Sequence, residues 1–168
     1  NIDLSVNTNA EINLIFDSKI GDIINGTGKG DLHMSVTEDG TFELLGNYSI
    51  VQGSYYFTMK NLIGKYFEIE KGGTIKWSGD PYEGIVDLRA IYTKNAGLYD
   101  LLQDTSAQYK KKVPVEVILS LKGKLFNPDI AFDINVLNVE PSTQSLVNRY
   151  LNTEEEKNKQ AMSLIVLN

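Results

Sequence analysis

At 168 residues the chain has the size of one domain, and 16 Lys and Arg against 22 Asp and Glu leave a net charge of −6, without the basic footprint of a nucleic-acid binder. The absence of cysteine and the presence of a single histidine exclude a disulfide scaffold, a thiolate nucleophile, a Cys-ligated metal and any site that needs two histidines. A hydrophobic content of 42% with 23% charged residues is that of a folded domain, and no run approaches the roughly 18 apolar residues of a membrane helix.

Period-two alternation dominates up to about residue 136, so each run has one apolar and one polar face. Ile2, Leu4 and Val6 form the first run, and Ile12, Leu14 and Phe16 the second. Leu32, Met34 and Val36 follow, then Phe42, Leu44, Tyr48 and Ile50 with Gly46 in the row. Tyr55, Phe57 and Met59 predict a further strand, as do Phe67 with Ile69, and Ile75 with Trp77. Val86, Leu88, Ala90 and Tyr92 make the next. Val113 to Leu121 is the longest, and Ile130, Phe132, Ile134 and Val136 are the last. Glu38-Asp39-Gly40, Lys71-Gly72-Gly73, Gly79-Asp80-Pro81 and Asn127-Pro128-Asp129 carry turn chemistry, and such short links join antiparallel neighbours. Leu98, Leu101 and Leu102 predict a short helix or ordered loop around Ala96–Asp104. After Pro141 the pattern is helical. Ser142 is the expected N-cap, Leu146, Val147, Tyr150 and Leu151 share a stripe, and Thr153 with Glu156 forms a capping box. Ala161, Leu164, Ile165 and Leu167 supply a second stripe.

The candidate chemistry is sparse. His33 falls on the polar face of its strand beside Ser35, and a zinc site there would need carboxylates alone around it. Asp80 with Glu83, Asp129 with Asp133, and Glu154 to Glu156 are carboxylate groups. A glycosidase needs two carboxyls across a cleft, whereas Asp129 and Asp133 share the wet parity of a strand and Glu154 to Glu156 opens a helix. Gly26-Thr27-Gly28-Lys29-Gly30 resembles a phosphate loop in composition only, because a strand rather than a helix follows it. Lys110 to Lys112 has two readings, contact with anionic headgroups or solvation of a connection, and the net charge of −6 favours the second. What remains is a surface: many strands sharing one apolar face, which closes as a dry core or stays open as a trough. Periodicity does not separate the two.

Several motifs then coincide in order. They are Gly46-x-Tyr48-x-Ile50-x-x-Gly53-x-Tyr55-x-Phe57, Gly72-Gly73-x-Ile75-x-Trp77-x-Gly79-Asp80-Pro81 and Leu88-x-Ala90-x-Tyr92. Pro114-x-Glu116-Val117-x-Leu119, Gly123-x-Leu125-x-Asn127-Pro128-x-Ile130-x-Phe132-x-Ile134 and Gln160-x-x-Ser163-Leu164-Ile165 complete the set. Over nearly the whole chain the sequence resembles the C-terminal domain family of TamB, the inner-membrane-anchored component of the translocation and assembly module, in a form like that of Bacteroides-type bacteria. The resemblance implies a mostly β fold, an antiparallel sheet curled into a β-taco or half-pipe with an apolar interior. Gly46, Gly53, Gly73 and Gly79 would serve as its bending points. It implies a single domain over 1–168, with the sheet in 1–140 and a helical segment in 141–168. The chain starts at Asn1 and stops at Leu167-Asn168, where relatives continue, so a fragment of a longer protein is expected.

By the same resemblance the protein is periplasmic, anchored through its full-length form in the inner membrane of a Gram-negative bacterium and reaching the outer membrane. Its expected partners are phospholipid acyl chains and a BamA/TamA-type outer-membrane barrel, with no nucleic acid. No enzyme activity, cofactor or metal is expected. The expected role is to hold or conduct acyl chains in an envelope bridge that supports outer-membrane biogenesis. The competing role is that of a chaperone or scaffold for barrel insertion by β-augmentation, and a carbohydrate-active enzyme is the weakest reading. Shared parity places Leu88, Ala90, Val115, Val117, Leu119, Ile130, Phe132 and Ile134 on one apolar lining, with Phe57 and Trp77 nearby. Trp77 either closes one end of the trough or fills the core. No basic cluster sits on these runs, so little headgroup selectivity is expected.

Overall fold

The computed structural model describes residues 1–15, 22–59, 63–102 and 106–166. Nine strands run β1 (Ile2–Val6), β2 (Glu11–Ile15), β3 (Ile23–Val36), β4 (Phe42–Met59), β5 (Ile63–Ile69), β6 (Thr74–Gly79), β7 (Ile85–Gly97), β8 (Lys112–Lys124) and β9 (Asn127–Val136). The helices are α1 (Leu98–Leu102), α2 (Pro141–Tyr150) and α3 (Glu154–Val166). The strands form one antiparallel sheet in the order β1-β3-β4-β5-β7-β8-β9, with β2 also on β3 and β6 between β4 and β7. The mostly β class with C-terminal helices is as the alternation predicts. Phe16, Asp104 and Leu167, which the predicted elements include, lie outside the described residues. The chain divides into two compact units, residues 1–90 with 120–130, and residues 91–119 with 131–168.

In the first unit the strand count of the sequence becomes fewer, longer rows. β1 pairs with Gly30–Met34 of β3 and β2 with Ile23–Thr27, so the two are one edge row broken at 7–10. Likewise β5 and β6 both lie along β4, at Gly53–Met59 and Leu44–Ser49 respectively. Lys71-Gly72-Gly73 is therefore a kink within a row and not the hairpin its composition suggests, since Ile50 exchanges backbone hydrogen bonds with Gly72 and Gly73 across the break. Glu38-Asp39-Gly40 does close a hairpin, with Gly40 at φ 85°.

The runs 42–50 and 55–59 are one 18-residue strand, β4. Thr27 faces Gln52 and Gly28 faces Ile50, so Val51 has no partner on β3. This bulge moves the buried parity from even positions (Tyr48, Ile50) to odd ones (Tyr55, Phe57). The Gly26-Thr27-Gly28-Lys29-Gly30 segment lies inside β3. A Cβ on Gly28 would stand 2.3 Å from the Ser49 carbonyl oxygen and 2.6 Å from Cζ of Tyr48. The glycines thus admit the backbone and ring of β4. Gly46 adopts φ 135°, a conformation L side chains rarely take.

The second unit joins the last part of β7, α1, the first part of β8, the last part of β9, and α2 with α3. Val115, Val117 and Leu119 alternate inward on β8, as do Phe132, Ile134 and Val136 on β9. Leu98, Leu101, Leu102, Val147, Leu151, Ala161 and Ile165 are buried from the helices. The N-cap of α2 is Glu140, not Ser142 as the sequence suggests, because Pro141 occupies N1. Proline lacks the N–H that N1 leaves unpaired and pushes its predecessor into extended backbone. Of the predicted α2 stripe Val147 and Leu151 are buried, Leu146 is half-buried and Tyr150 is exposed. Half of the expected capping box forms at α3, where the Glu156 N–H donates to Oγ1 of Thr153 at 3.2 Å. The turn between β8 and β9 is Leu125-Phe126, two residues earlier than Asn127-Pro128-Asp129 suggests. Pro128 sits instead in β9, which ends the sheet order, where its missing N–H is tolerated.

Candidate functional site

Cross-strand register in the first unit aligns the apolar side chains in rows. Ile2, Met34, Leu44 and Gly79 face one another in succession, and so do Leu4, Leu32, Gly46 and Trp77. The next row runs Val6, Gly30, Tyr48, Ile75 and Val86. Opposed residues of an antiparallel pair point to the same side, so these rows form one apolar face. Its cover is uneven. Tyr48, Ile50, Ile75, Val86 and Leu88 are buried, whereas Ile2, Leu4, Val36 and Phe42 are exposed.

The residues assigned to an apolar lining from the sequence fall in both units. In the first, Leu88 and Ala90 are fully buried, and Phe57 is buried with its ring edge-on to Phe67 at 6.0 Å. Ile130 is exposed at the start of β9. Trp77 is half-buried, its indole N–H donating to the Pro81 carbonyl at 3.1 Å beside Gly84. In the second unit Val115, Val117, Leu119, Phe132 and Ile134 are all buried. The accessible apolar residues Ile2, Leu4, Val36 and Phe42 were not singled out by sequence. Their alternation was visible, but which end of a face stays uncovered was not.

Of the candidate carboxylates, Asp80, Glu83, Asp133 and Glu154 serve a cap and ion pairs. Asp80 accepts the Tyr82 N–H at 2.8 Å, and Glu83 pairs with Lys124 at 2.6 Å. Asp133 and Glu154 both reach Lys157, at 3.5 and 3.8 Å, and Asp129 is exposed. His33 pairs with Asp3 across β1 and β3 at 2.6 Å, on the polar face. Asp22 collects three donors at 2.7 Å: the Tyr55 hydroxyl, the Thr58 N–H and the Thr58 hydroxyl. Burial, with the Asp22 carboxylate as a second cause, pushes the Tyr55 phenol far above its ordinary range. Burial also raises Tyr48, whose hydroxyl is enclosed and finds no hydrogen-bond partner among the described residues. Among the described residues no group of three or more His, Asp or Glu is placed to hold a metal ion.

The second unit carries a cleft of about 310 Å³ beside the end of β7, the start of β8 and the last turns of α3. Lys94, Lys112, Gln160 and Ser163 supply its polar wall, and Leu98 and Val115 its apolar wall. Lys94 Nζ donates to the Leu164 carbonyl at 2.9 Å.

These features define an antiparallel β-sheet domain with C-terminal helices, an apolar sheet face open at one end, and polar residues engaged in caps and ion pairs. The model of the TamB C-terminal domain family matches residues 1–168, the whole chain, and the chain belongs to that family. Membership implies a role in outer-membrane biogenesis and assembly, as an envelope component acting in a complex with assembly partners. No curated protein and no solved structure matched the chain. No helix among the described residues is long and apolar enough to cross a membrane.

Proposed function

We propose that this chain is a non-catalytic, periplasmic segment of an envelope bridge, and that its apolar sheet face holds or conducts phospholipid acyl chains. The observation that supports this reading is the open end of that face, where Ile2, Leu4, Val36 and Phe42 remain 60, 44, 64 and 45% exposed while aligned with buried rows. A contiguous apolar face of this kind marks a binding surface. Burial of an acyl chain contributes about 0.8 kcal/mol per methylene, so a chain binds there without directional contacts.

The test is organic extraction of the purified protein with mass spectrometry, followed by uptake of a fluorescent acyl probe. Wild type should yield phospholipid and take up the probe. Val36→Asp and Phe42→Asp, at exposed positions that tolerate charge, should lower uptake severalfold. Extracts free of lipid together with absent uptake would overturn the reading.

The alternative, a scaffold for barrel-strand insertion by β-augmentation, draws on a different observation: β1 stands at one end of the strand order. Such an edge offers backbone groups to an added strand. Protection of the β1 amides from hydrogen exchange by a barrel-strand peptide, with no acyl-probe uptake, would favour it.

A further inference from the structure

We propose that the outer face of the first unit, opposite its apolar face, is a platform that binds an uncharged glycan chain. This goes beyond the acyl-chain reading and uses none of its residues. Successive strand pairings align two rows there. Ile15, Ile23, Tyr56 and Tyr66 form one row across β2, β3, β4 and β5, and Asn13, Asn25, Ser54 and Glu68 form the next. Opposed residues point to the same side. The intervening Leu14, Ile24, Tyr55 and Phe67 point to the other side, where the last three are buried.

The aromatic row is open to solvent. Tyr66 is 65% and Ile15 55% exposed, and Ile23 and Tyr56 are half-buried. The Tyr56 and Tyr66 rings have centroids 4.6 Å apart and planes inclined at 40°. A Cβ on Gly64 would meet Oη and Cζ of Tyr56, so the missing side chain lets that ring lie down on β5. Strands stand about 4.8 Å apart and successive rows on one face about 7 Å apart, so rings and amides run side by side over about 14 Å.

The chemistry of the two rows selects the ligand. Neither row holds a Lys or Arg, and their one charge is the Glu68 carboxylate, so an anionic partner meets repulsion and no counter-charge. An acyl chain or an apolar protein surface would cover the amides of Asn13 and Asn25 and the Ser54 hydroxyl without pairing them, which is unfavourable. A pyranose ring answers both rows. Its axial C–H groups make an apolar face that packs on a tyrosine ring. Its rim of hydroxyl or acetamido groups donates and accepts the hydrogen bonds that Asn, Ser and a carboxylate complete.

The test titrates chitohexaose and cellohexaose, an N-acetylated and a neutral sugar chain, into the whole chain and follows the Ser54 and Tyr66 amide resonances. Hexagalacturonate is the anionic comparison. We expect at least one uncharged oligomer to shift both resonances and to bind at least about tenfold tighter than hexagalacturonate, equivalent to about 1.4 kcal/mol. Tyr66→Ser should weaken that binding about tenfold, Tyr66→Trp should retain it, and Asn13→Ala should weaken it severalfold. Tyr82→Ser, at another exposed tyrosine of the same unit, should leave it intact. Tyr66 and Asn13 are both exposed, so their variants should keep the wild-type urea midpoint.

Three results overturn the inference: no shift with either uncharged oligomer, hexagalacturonate bound as tightly as they are, or a Tyr66→Ser protein that binds them like wild type. A concentration-dependent dimer that Tyr66→Ser dissolves, with no glycan bound, would also overturn it and give the face to a second copy of the chain. Glycan binding should survive Val36→Asp and Phe42→Asp, and acyl-probe uptake should survive Tyr66→Ser, so the two readings fail separately.

Discussion

Replacing Gly28 by alanine puts a methyl group into the tightest approach between β3 and β4. The new Cβ would lie 2.3 Å from the Ser49 carbonyl oxygen and 2.6 Å from Cζ of Tyr48. The first neighbour is backbone within a paired strand and the second a ring that is 1% exposed, so neither yields without moving the sheet. In an unobstructed site, alanine for glycine would stabilise by about 0.4–1 kcal/mol through the unfolded chain. Overpacking costs about 1–3 kcal/mol, so the net expectation is a loss of about 1–2 kcal/mol, near 2–8 °C in melting temperature at this size. Trp77 is the only tryptophan and lies in the same unit, so its fluorescence during urea unfolding reads the change. Tyr48→Phe separates ring from hydroxyl. That hydroxyl has no partner among the described residues, so its removal should leave stability unchanged or slightly raised, and should not rescue Gly28→Ala, whose backbone clash remains. A Gly28→Ala protein as stable as wild type would refute the close approach of β3 and β4, and with it the packing explanation of the glycine run.

Stability should fall as pH rises above about 10, the ordinary tyrosine value, because the unfolded chain releases phenolic protons that buried Tyr55 and Tyr48 retain when folded. Urea midpoints from pH 8 to 11 would show this slope, and Tyr55→Phe should flatten it while lowering the plateau through loss of the Asp22 hydrogen bond. Val117→Asp places a carboxylate at a fully buried position of β8 and should destabilise by more than about 3 kcal/mol. A soluble Val117→Asp protein with unchanged urea midpoint would mean this face is not buried. Thr153→Ala removes the acceptor of the Glu156 N–H at the start of α3 and should cost about 1 kcal/mol, measured as a lower melting midpoint in circular dichroism.

Alternation alone determined the class of this protein, because a buried strand face must be apolar at every second residue whatever lies opposite. The hairpin at Glu38-Asp39-Gly40 and the Thr153–Glu156 cap were legible for the same local reason: the hydrogen bonds that close them span four residues or fewer. The motifs that carried the family resemblance were likewise a property of order along the chain. Tertiary structure decided the rest. It made β1 with β2, and β5 with β6, single rows, since only a shared neighbour shows two runs to be collinear. It placed the unpaired Val51 in β4, where one extra residue turns the buried parity over. It also turned a glycine-rich segment into the seat of Tyr48 and brought Lys94 to the same cleft as Lys112. Which end of the apolar face stays open was likewise undetermined by sequence, because exposure depends on what packs above a residue, whereas periodicity records only the side to which it points.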